Sequence, residues 1–185
     1  MNSEKLTVSL YVRWFTSVLF CAFVSIFFLF AFYSRVGFLI AQLCCGGMYF
    51  ALIIQACYTI GSRDHNRYLF DKGPKTPLKG LWAGLITAIP SFISAIVLIV
   101  CKLAENNNSL VLLLYRIINS QFYALNLMIL PTALSLNEIS LTAVLGSAAL
   151  TLLMPAIAWL SYLAGFSNAD FLYGLIKITG KKKGA

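Results

Sequence analysis

A chain of 185 residues that is 60% hydrophobic, 11% charged and +0.84 in mean hydropathy reads against a soluble domain, since such domains carry about 25% charged residues. The net charge of +8 comes with no basic stripe of interleaved aromatics, so nucleic acid is not an expected partner. Lys and Arg instead collect in cytoplasmic loops and against anionic headgroups. The five cysteines (Cys21, Cys44, Cys45, Cys57 and Cys101) form no CxxC pair and lie in apolar runs. They read as small polarizable packing residues, with no metal or cofactor expected.

The charges cluster, leaving uncharged runs at 14–34, 36–62, 81–101 and 139–169. Each reaches the ~20 residues a helix needs to cross the hydrocarbon core, where every backbone polar group must be bonded within the chain. We therefore expect an all-α integral membrane protein in the cell membrane, one bundle of four transmembrane helices or five. The predicted spans are about 14–34, 37–60, 81–101 and 141–164. The first is read as retained, because its apolar run is too long for a signal peptide. In the second, "CCGGM" (Cys44 to Met48) is a run of small residues against which a helix packs or a cavity opens. Gly80-x-x-x-Gly84 would let the third span approach a neighbour closely. Pro90 and Pro155 should kink the third and fourth spans.

Between the second and third spans lies "GSRDHNRYLFDKGPKTPLKG", residues 61–80, the one long polar passage. It reads as a cytoplasmic loop. If the helix runs past Ile60, Arg63 and Arg67 share a face, with Asp64 near enough to pair. Arg63, Asp64, His65, Asn66 and Arg67 thus form a candidate polar cluster. It is either a phosphate or headgroup site, with His65 as proton carrier, or a solvated cap that fixes orientation.

The segment 110–136 is apolar but holds Arg116, Asn119, Ser120, Gln121, Asn126 and Pro131. With four spans, eleven of the 14 basic residues fall inside and three outside. With five spans that bias disappears, so the charge rule favours four. The segment is then an outer interfacial or re-entrant element, broken near "NSQ" and again near Pro131. Both termini and the 61–80 loop face the cytoplasm. Gln42, Gln55, Arg116, Asn119 and Tyr123 are a candidate pocket, or else bond other helices. The basic tail, 166–185, reads as an amphipathic helix resting on the anionic inner leaflet. Ser167 opens it with capping-box spacing to Asp170, and Phe171, Leu172, Leu175 and Ile176 form its apolar stripe.

Gly61, Asp64 and Asn66, followed by Lys79, Gly80, Leu81 and Gly84, resemble a G-x-x-D-x-N turn and K-G-L-x-x-G entry in a group of uncharacterised small membrane proteins of Gram-positive bacteria. The resemblance covers about a third of the chain and implies a membrane location alone. In size and greasiness the chain is also similar to the S components of energy-coupling-factor transporters. It lacks their six spans and their AxxxA motif.

No catalytic pair of residues is found, and the expected function is non-enzymatic: an accessory or assembly subunit of a membrane complex, with a membrane or cytoplasmic protein as partner. The alternatives are a small-solute binding or transport component built around Gln42, Gln55 and Arg116, and an intramembrane lipid-modifying enzyme using Asp64, His65 and the arginines.

Overall fold

The structure is a computed structural model that describes residues 3–31, 35–70, 76–106, 108–130 and 136–181. Pro131 and residues 71–75 of the polar passage lie outside this set, as do the side chains of Gln42 and of residues 168–181. Among the described residues the secondary structure is entirely helical: α1 Ser3–Ala31, α2 Arg35–Leu69, α3 Lys79–Thr87, α4 Ile89–Leu103, α5 Ser109–Ile118, α6 Tyr123–Ile129, α7 Leu141–Ala149 and α8 Leu153–Lys181, with short 3-10 turns between some of them. Three stretches, Glu4–Phe27, Leu39–Leu69 and Leu141–Ser167, are long and apolar enough to cross a membrane. A fourth arises if α3 and α4, bent by 53°, count as one.

The bend between α3 and α4, and the 3-10 turn within the last stretch, lie where proline removes a donor. Pro90 stands in the first turn of α4. It has no N–H to offer the carbonyl of Ile86, and its ring crowds that carbonyl, so the helix bends at Ala88. Pro155 denies the Thr151 carbonyl its partner in the same way, and the chain tightens into a 3-10 turn at Leu150–Leu152 just before it.

Three boundaries differ from those expected. First, α1 begins well before residue 14, so Arg13 lies inside the helix rather than at its border. Its Nη1 donates to the Leu52 carbonyl (2.7 Å) and to Gln55 Oε1 (3.3 Å), tying α1 to α2. Arg13→Ala should therefore lower the unfolding temperature of the detergent-solubilised protein, at a cost of about 1.5–3 kcal/mol for a charged hydrogen bond. Gln55→Ala should cost less, because Gln55 is exposed. Second, α2 runs on to Leu69, so residues 61–69 are helix and the connection is shorter than the polar composition suggests. Third, α8 passes through Ser167 without a break. The Ser167 hydroxyl bonds the Ala164 carbonyl at 3.2 Å, as a serine does within a helix, and caps nothing.

Within segment 110–136, the described residues 110–130 fold as a short helical hairpin. Asn108 caps α5, its side chain accepting from the Leu110 N–H. The chain turns at Ser120–Phe122 and returns as α6. The tip reaches the middle of α1, where the Ser120 hydroxyl donates to the Val18 carbonyl at 2.9 Å. Phe122 packs against Tyr49 and Phe50 of α2, at ring separations of 5.9 and 6.0 Å. One apolar core joins Leu10, Trp14, Tyr49, Phe122, Met154 and Tyr162. A second, around Leu98, Leu112, Leu130 and Val144, seats the hairpin between α4 and α7. At the far end of α4, Lys102 Nζ donates to the carbonyls of Leu136 (3.2 Å) and Asn137 (3.1 Å), holding the start of the last helical stretch beside it.

Candidate functional site

The polar groups converge where α2 ends, α3 begins and α8 passes. Small residues set this closeness. α2 and α8 bring the same local pattern to their crossing, Tyr58-x-x-Gly61 and Tyr162-x-x-Gly165. A Cβ on Gly61 would strike the Tyr162 carbonyl oxygen, and one on Gly165 would strike the Tyr58 carbonyl oxygen. The backbones thus touch with no side chain between them. α3 approaches through Gly80 and Gly84, as their spacing suggested. A Cβ on Gly84 would lie 2.8 Å from Pro155 Cα and 2.9 Å from Ala158 Cβ.

At this junction Asp64 is buried and accepts two bonds on one oxygen. Lys79 Nζ lies 2.5 Å from Asp64 Oδ2, and the Tyr162 hydroxyl donates to the same atom at 3.0 Å. Three helices are tied through one carboxylate. Asp64 was expected to pair with its neighbouring arginines. Its partners are instead Lys79 and Tyr162, because the helix turns its side chain inward while Arg63 and Arg67 stay exposed.

His65 separates from the cluster too. Its ring is 1% exposed and stands edge-on to Phe166, with centroids 5.0 Å apart and planes at 88°. Phe166 in turn stacks on Tyr162 at 6.3 Å. Arg63, Asp64, Asn66 and Arg67 line an open cleft of about 350 Å³. His65 is not among its described lining.

The other candidate residues occupy different places. Gln55 is engaged by Arg13 on the α1–α2 seam. Asn119, fully buried, donates to Ser94 Oγ of α4 at 3.0 Å and to the Tyr115 carbonyl at 3.1 Å. Half-buried Arg116 reaches the Leu130 carbonyl at 3.5 Å, across the hairpin. Tyr123 is half-buried at the start of α6. Gln55 and Asn119 thus belong to separate helix seams, and the side chain of Gln42 lies outside the described set. What forms around Asn119 is a buried polar seam. Ser147 Oγ donates to Asn126 Oδ1 at 2.6 Å, and the Tyr115 hydroxyl donates to the Ser147 carbonyl at 2.8 Å.

Three participants escaped the sequence reading: Tyr162, which looked like one more aromatic in an apolar run, Ser94 and Ser147. The signal for Tyr162 was the Tyr-x-x-Gly pattern shared with α2. The chain matches no protein-family model, no curated protein and no solved structure.

Proposed function

We propose that this is a multi-pass membrane protein without enzymatic activity, an accessory or assembly component whose cytoplasmic end is the α2–α3 junction. The observation that carries this reading is the fate of the reactive groups. Asp64 is taken up in a three-helix tie to Lys79 and Tyr162, and His65 is packed against an aromatic ring. General acid–base chemistry needs a group free to exchange a proton with a substrate, and the Asp64 oxygen is already bonded by Lys79 and Tyr162.

The proposed topology has four spans, with α3 and α4 forming one bent span. The Asp64–Lys79 pair at one end and the Lys102 bonds to Leu136 and Asn137 at the other agree with it. So does the hairpin, which leaves from the Lys102 end, turns beside the middle of α1 and comes back. We assign it as re-entrant, its polar atoms facing protein as lipid demands. The end of α8 would carry the basic tail to the inner leaflet.

A topology experiment tests this. In a background with the native cysteines replaced, an impermeant maleimide applied to intact cells should label Asn108→Cys and spare Leu78→Cys. Labelling of Leu78→Cys overturns the orientation. For the accessory role, purification in mild detergent should yield a second protein in fixed stoichiometry. A lone species that turns over a lipid substrate would defeat it.

One observation favours a second reading, a small-solute binding component. Asn119 Oδ1 and Asn126 Nδ2, fully buried in the hairpin seam, make no hydrogen bond among the described residues. A small polar molecule or water would satisfy them. Mass spectrometry of small molecules retained by the purified protein, lost in Asn126→Leu, is the corresponding test.

A further inference from the structure

We propose that the cleft at the end of α2 binds a phosphate ester, held by Arg63 and Arg67 with Asn66 between them. The helix supplies the geometry. Positions 63, 66 and 67 are three and four residues apart and share one face, and all three side chains are exposed along a cleft of about 350 Å³. That volume falls at the small end of the ~300–1,000 Å³ typical of small-molecule sites. Guanidinium groups present planar donors in the fork that phosphate oxygens accept, a match that lysine does not offer. The Asn66 amide adds a neutral donor. Among the described residues, neither Arg63 nor Arg67 meets a carboxylate.

The carboxylate that also lines the cleft is the obvious objection, and its bonds answer it. Asp64 Oδ2 is held by the Lys79 ammonium at 2.5 Å and by the Tyr162 hydroxyl at 3.0 Å. Its charge is balanced inside the bundle. The carbonyl end of α2 adds a second objection. A helix C-terminus carries roughly half a negative charge, against two full positive charges on the arginines, so the cleft stays electropositive.

Two sources share this chemistry: a phospholipid headgroup, or a soluble phosphate compound. Tyr68 and Phe70, which follow Arg67 within three positions of the chain, are exposed and offer the acyl or glycerol end of a lipid an apolar contact that free phosphate would not use.

The test uses the full chain in detergent. Native mass spectrometry follows retention of phosphatidylglycerol, with diacylglycerol, which has no phosphate, as the control lipid. Calorimetry follows inorganic phosphate. The Arg63→Gln/Arg67→Gln protein should bind phosphatidylglycerol at least tenfold more weakly than the parent. Arg63→Lys/Arg67→Lys should lose part of that affinity, and diacylglycerol should not be retained. Retention that millimolar inorganic phosphate does not displace identifies the lipid source. Phosphate binding with the same arginine dependence, displacing the lipid, identifies the soluble one. Equal binding by the parent and the Gln/Gln protein in both arms overturns the proposal, as does equal retention of diacylglycerol. Should the double variant unfold, Arg63→Gln alone read the same way decides the matter, since its side chain is exposed and holds no helix together. The outcome is independent of the accessory role, which is read from co-purifying protein.

Discussion

Gly61→Ala should destabilise the protein by about 2 kcal/mol or more, while the same change at Gly47 should leave it as stable or slightly more so. In both cases alanine favours a helix over glycine by up to about 1 kcal/mol. At Gly47 nothing lies within 4 Å of the added carbon, so that gain is kept. At Gly61 the added carbon runs into the Tyr162 carbonyl oxygen and approaches the Phe166 nitrogen to 3.1 Å. These are backbone atoms and cannot rotate aside. Overpacking a tight interior costs about 1–3 kcal/mol and occasionally more, and here the whole of α8 must move. Gly165→Ala should behave like Gly61→Ala, because it meets the Tyr58 carbonyl. A thiol-reactive dye gives the readout: Cys21, Cys45 and Cys57 are buried and become reactive on unfolding, while exposed Cys44 sets a constant background. Equal midpoints for Gly61→Ala and Gly47→Ala would mean that the backbones do not touch at this crossing.

Lys79→Met should be the second severe change. Asp64 and Lys79 are 10% and 11% exposed at their side chains. Removing one member of a buried pair leaves an uncompensated charge, at a cost of about 3–5 kcal/mol. The residual exposure and the remaining Tyr162 bond place this case at the lower end. The telling comparison is with Asp64→Asn/Lys79→Met. Without the orphaned carboxylate, the double variant should unfold at a higher temperature than Lys79→Met alone. Such a rescue is a coupling between neighbours. If Lys79→Met matched the parent, the three-helix tie would contribute nothing.

What could be read from the sequence followed from local chemistry. The helical class and the apolar lengths follow from residue type along the chain, and the bend before Pro90 from residues within one turn of it. The small-residue approach through Gly80 and Gly84 was visible for the same reason. Partnerships across helices were not. Arg13 looked like a flanking charge because nothing near it in the chain announces the Leu52 carbonyl 39 positions away. Asp64 has two arginines beside it and yet bonds Lys79, since helical phase, rather than proximity along the chain, decides which side chains turn inward. Charge counting also hid the end of α2: polar residues mark where a helix leaves an apolar environment, not where it stops being a helix. Gln55 and Asn119 do not come together because each finds a partner on a different seam.

The bond from Tyr162 to Asp64 bridges 98 positions, and that from Ser120 to Val18 bridges 102. A ribosome therefore finishes α2 long before it makes α8, which covers its Gly61 face. Until residue 162 has emerged, the nascent chain holds a glycine-lined groove and a carboxylate with no phenol to meet it. Closure of this crossing must wait for α8, and a chain truncated ahead of α8 leaves the Gly61 face of α2 uncovered.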